Sequence, residues 1–236
     1  MAERLQKILS QAGLCSRRAG EEMLCQGRVS VNGRTAALGD KADPVLDRIE
    51  VDGQAIPSAP PAVYLMLNKP RGYVTTLSDE FGRATAAQLV ADCRARVYPV
   101  GRLDKDSEGL LLFTNDGALM QTLIHPRHEV NKIYHVTVMG EIGNAAERLM
   151  SITDLDGEPI RPAEAELISH DGNKALLRIT IHEGKNRQIR RMCRQVGLTV
   201  NRLQRVQEGN LQLDNLPPGK WRYLTDAEIK DLRGSD

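Results

Sequence analysis

The chain has 236 residues, 41% of them hydrophobic and 27% charged, the balance of a globular protein long enough for one ordinary domain plus a small module. Lysine and arginine total 32 against 31 acids, a net charge of +1, so total charge points to no particular partner. No apolar run reaches the ~18 residues that span a bilayer, and the polar, helical start MAERLQKILSQ lacks the apolar stretch of a secretory signal, so a cytoplasmic location is expected.

The first 56 residues read as a small module. Leu5, Ile8, Leu9 and Ala12 recur at helical spacing, and Gly13 can end that helix. Ser16 is placed to cap a second helix over 17–26, which Gly27 would terminate. Short extended pieces follow, turning at Asn32-Gly33 and at Asp52-Gly53, both suited to tight hairpins. Pro57-Ser58-Ala59-Pro60-Pro61 cannot continue a helix or a central strand, so 57–62 reads as a linker and 63–236 as the second domain.

In that domain VYLMLNKP, KIYHVTVMG, KALLRITIHEG and GNLQLDNL are strand candidates. Helices are expected over 85–92, 117–123, 144–151 and 186–196, and Thr225 with Glu228 forms a capping box for a last one. Strands that do not alternate regularly with helices predict an α+β domain with a mixed, largely antiparallel sheet.

Cys15, Cys25, Cys93 and Cys193 form no CxxC pair and have no histidine at ligand spacing, so reduced thiols are expected. His125, His128, His135, His170 and His182 converge on no metal template, and HPRH at 125–128 reads as loop packing. No glycine-rich phosphate or dinucleotide loop is present. No metal or cofactor is therefore expected.

Two segments stand out chemically. Between Lys185 and Arg205 lie seven basic residues (Lys185, Arg187, Arg190, Arg191, Arg194, Arg202, Arg205) and no acid, a footprint suited to phosphate. Before the apolar run Leu110-Leu111-Leu112-Phe113, which suits a strand buried on both faces, sits a polar loop with Arg102, Asp104, Asp106 and Glu108. Carboxylates at the lip of a buried strand can be desolvated and oriented for catalysis, although such a loop is equally an ordinary acidic turn.

The string Gly101-Arg102-Leu103-Asp104 through Gly109-Leu110-Leu111-Leu112 resembles the signature of the ribosomal pseudouridine synthases, in their RsuA/RluB branch. Lys132-Ile133-Tyr134 looks like the K-x-Y motif of that family, and the run from Glu183 to Met192 resembles its basic motif. RLQK, SRR and GRVSVNG in the first module resemble the S4 RNA-binding domain. The resemblance spans nearly the whole chain, with Lys185 standing where arginine is commoner.

It implies an RNA pseudouridine synthase, an isomerase needing no cofactor, in which Asp104 is the catalytic carboxylate, Tyr134 stacks on the flipped base, and Arg190 partners Asp104. Arg102, Ile189 and Leu203 would line the substrate pocket. Arg17, Arg18 and Arg28 would dock structured RNA, while Lys185, Asn186, Arg187, Arg191 and Arg194 would line the cleft around the flipped nucleotide. Whether Asp104 attacks C1′ or removes the C2′ proton stays open. The expected substrate is 23S rRNA, free or in a pre-ribosomal particle, bound by a monomer. The alternatives are a 16S enzyme and, in another class, a non-enzymatic S4 protein that binds rRNA during ribosome assembly.

Overall fold

Within the first module, both helices are followed by a glycine at positive φ, Gly13 and Gly27, and both hairpins turn on residues with that freedom. A computed structural model describes residues 1–124 and 130–234, so the HPRH segment lies outside the described residues. The chain divides into two compact units, residues 1–62 and 63–236. In the first, the helix Leu5–Gln11 buries Leu5, Ile8 and Leu9, and Gly13 follows it at φ +78°. The Ser16 hydroxyl accepts from the Ala19 N–H at 3.1 Å and so caps the helix Arg17–Cys25. A four-stranded antiparallel sheet follows, in the order Arg34–Thr35, Val29–Val31, Ile49–Val51, Gln54–Ala55. Its two hairpins turn at Asn32-Gly33 and Asp52-Gly53, where all four residues have positive φ, as the tight turn requires. Val29 and Ile49 close a core with the helices.

The second unit is built on a nine-stranded sheet. Its path runs Glu164–Asp171, Lys174–Ile181, Lys132–Gly140, Leu198–Glu208, Glu108–Thr114, Tyr64–Lys69, Trp221–Tyr223. All its pairings are antiparallel except that between Leu198–Glu208 and Glu108–Thr114, so the expected mixed, largely antiparallel sheet is present. Both faces of its middle are covered. Leu65, Leu67, Leu111 and Phe113 pack into one core, and Tyr64, Met66, Leu110 and Leu112 into another. The alternation follows directly from the period-two direction of side chains along a strand.

One contact fixes where the polar loop that carries Asp104 joins the sheet. At the parallel pair, a side chain on Gly109 (φ +105°) would place Cβ 2.2 Å from the Arg205 carbonyl oxygen. Only glycine permits that approach, and it brings the Glu108 end of the strand against Leu198–Glu208.

Several expectations need adjustment. The longest strand, Leu198–Glu208, was not among the candidates, because Asn201, Arg202, Gln204 and Gln207 break up its apolar pattern. GNLQLDNL contributes only the short strand Leu211–Gln212, and the expected helix at 85–92 is a 3-10 turn, Ala86–Val90, with a Thr85–Gln88 capping box. The last helix, Asp226–Arg233, carries the Thr225–Glu228 box read from the sequence. No helix among the described residues is long and apolar enough to cross a membrane.

Candidate active site

Asp104 sits in the loop that joins the strands Tyr98–Val100 and Glu108–Thr114. That loop is stapled from beneath by Lys69, whose side chain has no solvent exposure. Lys69 Nζ donates to the backbone carbonyls of Ser107 at 2.7 Å, Asp104 at 3.0 Å and Pro70 at 3.2 Å. All three ammonium protons thus have an acceptor. Burial pulls the Lys69 pKa down to about 8, against the upward pull of Asp104, Asp106 and Glu108. From the other side, the buried Thr75 hydroxyl donates to the Leu103 carbonyl at 2.7 Å and accepts from the Leu103 N–H at 3.2 Å. Sequence reasoning missed both residues. The available signal for Lys69 was a lysine in a strand candidate, one residue past the apolar run Tyr64-Leu65-Met66-Leu67 and after Asn68.

The basic motif meets this loop with two arginines, and their division of labour corrects an expectation. Arg190 does not form the ion pair with Asp104. Its Nε lies 3.3 Å from the Asp106 carboxylate, and it donates to the Asp106 backbone carbonyl at 2.9 Å. Arg187, expected only to line the cleft, stands where Arg190 was expected: its guanidinium holds both Asp106 oxygens at 3.0 Å and reaches Asp104 Oδ2 at 3.4 Å. The reason is local. Arg187 adopts φ +48° just ahead of the helix Gln188–Gln195, outside helical register, whereas Arg190 lies in the first turn with its side chain only 10% exposed. Asp106 is held below the usual carboxylate range, first by the Arg187 hydrogen bond and then by the charges of Arg190 and Arg187, against burial.

Between loop and sheet lies a cavity of about 330 Å³. Asp104, Arg102 and Arg187 stand on its wall, with Tyr134, Ile189 and Leu203 as its apolar surfaces. Tyr134 is nearly buried, and burial raises its pKa, with the Arg205 charge pulling the other way. Arg205 is itself buried, paired with Glu208 at 3.2 Å and donating to the Leu110 carbonyl at 2.7 Å. Lys185 and Asn186 line the same cavity.

Arg191 and Arg194 do not, contrary to expectation. The helix buries Ile189, Met192 and Cys193, which turns Arg191 and Arg194, three residues apart, toward a separate depression beside Leu155 and Asp156. There Arg191 pairs with Asp156 at 2.8 Å. In the first unit Arg17 and Arg18 are exposed, while Arg28 is engaged by Asp52 in a forked ion pair.

Comparison with known proteins adds to this geometry. The family model described as RNA pseudouridylate synthase matches residues 63–195, and the S4 domain model matches residues 3–44. The chain is 41% identical to the ribosomal large subunit pseudouridine synthase B of Bacillus subtilis, over 98% of this chain and 96% of that one. It is 39% identical to an uncharacterized RNA pseudouridine synthase of Aquifex aeolicus, over 98% and 94% of the two chains. With the dual-specificity RNA pseudouridine synthase RluF of Escherichia coli it shares 39% identity over 97% and 78%. A crystal structure of a pseudouridylate synthase superposes with a TM-score of 0.69 at 31% identity, covering 97% of this chain and 99% of the other.

Proposed function

The chain belongs to the RNA pseudouridylate synthase family, with an S4 domain ahead of the catalytic one, and from that premise we propose that it converts one uridine of 23S rRNA to pseudouridine with Asp104 as the catalytic carboxylate. The observation that carries the reading is the position of Asp104, half-exposed on the wall of a cavity that ends on Tyr134. The 330 Å³ cavity is of a size to take a single flipped base.

The reaction breaks the C1′–N1 bond, turns the uracil, and forms C1′–C5, with the C5 proton lost and N1 protonated. Carboxylate charge beside the developing anomeric cation lowers that barrier, either by covalent attack at C1′ or by taking the C2′ proton. Arg187 would orient Asp104, and Asp106 would orient Arg187 in turn. Tyr134 would stack on the uracil, and its hydroxyl would relay the C5 proton, accepting it as its own proton passes to solvent through the cavity. Arg102, Lys185 and Asn186 would receive the RNA backbone at the cavity mouth, and Arg17 and Arg18 would dock structured RNA elsewhere.

The choice of 23S over 16S rests on the large-subunit relative at 41% identity. A monomer working in the cytoplasm goes with the same reading. Pseudouridine mapping of rRNA from cells lacking the gene, complemented with wild type or Asp104→Asn, tests it. One 23S position restored by wild type alone is the expected result. A position restored by Asp104→Asn removes the assigned catalyst, and a lost 16S position moves the substrate to the small subunit.

A further inference from the structure

The Asp104 loop also forms one wall of a wider groove, of about 800 Å³, which the uridine chemistry leaves unused. Phe81 stands in it with 81% of its surface exposed, one of only two phenylalanines in the chain. A lone exposed apolar side chain is ordinary in itself. What surrounds this one is not. The Asp79 carboxylate accepts from the Phe81 N–H at 3.1 Å and the Arg83 N–H at 2.8 Å, and pairs with the Arg83 guanidinium at 2.6 Å. Gly82, at φ +68°, closes the turn. Arg83 is thereby brought over the Phe81 ring, 5.1 Å from its centre, while most of the ring stays in solvent. The same groove carries the exposed cations Arg71 and Arg102 and runs up to Asp104.

We propose that Phe81 is a second stacking platform, taking the base of a nucleotide that flanks the target uridine while Arg71 and Arg102 meet the adjoining phosphates. This rests on the RNA-modifying reading above. Flipping a uridine leaves its neighbours partly unstacked, and an aromatic ring is a sequence-tolerant substitute for the lost stacking. A guanidinium over the far face of the ring supplies a cation–π contact to the same stack. The turn that carries the ring is formed before RNA arrives, which lowers the ordering cost of binding.

The test uses the full-length protein, transcribed 23S and 16S rRNA, and the variants Phe81→Leu, Phe81→Ala and Phe81→Trp. Losing the ring should weaken Kd for the bound rRNA by roughly tenfold, with the loss in turnover appearing in KM rather than kcat, and tryptophan should restore both. With 2-aminopurine placed in turn at the nucleotides flanking the modified uridine, wild type and Phe81→Trp should quench one position that Phe81→Leu leaves bright. An affinity and KM indifferent to residue 81 would overturn the proposal and leave the ring to a protein partner. A wild-type protein that binds rRNA but forms no pseudouridine would instead count against the activity, since the Kd series scores Phe81 without turnover.

Discussion

Lys69 and Asp104 are joined through the main chain: the buried ammonium donates to the Asp104 carbonyl oxygen at 3.0 Å, while the Asp104 carboxylate turns outward to Arg187. The same lysine holds Ser107 at 2.7 Å, so both ends of the Asp104–Ser107 turn hang on one cation. The catalytic role proposed for Asp104 would need this kind of support, because a displacement of about 1 Å can cost on the order of 10²-fold in rate.

Lys69→Met keeps the volume and leaves those carbonyls without their donor, at a cost of about 1–3 kcal/mol each in the limit of no water entry. Losing the buried charge offsets part of that cost. Both stability and activity should fall, the second through displacement of the Asp104 loop. The pH dependence has a definite sign. The folded pKa of about 8 lies below the ordinary value of 10.5, so the unfolded chain binds the extra proton between those limits. Wild type should gain stability over Lys69→Met as pH rises from 8 to 10.5. Urea unfolding of both proteins across that range checks it, and a constant difference would mean that the ammonium is not strained by burial.

Arg187 and Arg190 should separate in kinetics. Arg187→Ala frees the Asp104 carboxylate and leaves the Asp106 carboxylate to Arg190, and kcat should drop by on the order of 10²-fold, with Arg187→Lys recovering little because an ammonium cannot hold both Asp106 oxygens in a fork. Arg190→Ala removes the donor to the Asp106 carbonyl and should cost more in stability. Acid titration gives a second readout. Arg187 holds Asp106 below the usual range, so its contribution is present above the unfolded value near 3.8 and is lost as pH falls through the folded one. Arg187→Ala should show a shallower loss of stability below pH ~4. Equal kinetic losses in the two variants would return Arg190 to the role of direct partner.

Much of this arrangement was legible in the chain. The caps at Ser16 and Thr225, the Asn32-Gly33 and Asp52-Gly53 turns and the doubly buried Leu110–Phe113 run are local, and local chemistry decides them. The contacts that set the site are not. Lys69 meets its carbonyls across 35 and 38 residues, and Thr75 meets Leu103 across 28. The exchange of roles between Arg187 and Arg190 turns on a single left-handed residue before a helix, and the string NRQIRR gives no sign of it. The strand Leu198–Glu208 escaped because its buried residues, such as Arg205 and Glu208, are charged and pay each other's burial in place of an apolar pattern.

Tyr134 offers a sharp test, since the proposed reaction gives its ring and its hydroxyl separable duties. The ring forms a wall of the cavity, and the hydroxyl is close enough to Arg205 and Glu208 to feel both charges. Tyr134→Phe retains the stacking face and should bind rRNA as wild type does, yet lose about 10²- to 10⁴-fold in kcat if the hydroxyl moves the C5 proton. Tyr134→Leu should lose binding as well, by roughly tenfold. Because burial raises the Tyr134 pKa above its ordinary 10.0, the hydroxyl stays protonated through neutral and mildly alkaline solution, and no fall in kcat below pH ~9 should trace to it. Single-turnover rates for the three proteins across that range decide the matter. Wild-type rates from Tyr134→Phe would confine Tyr134 to stacking and require another carrier for the proton.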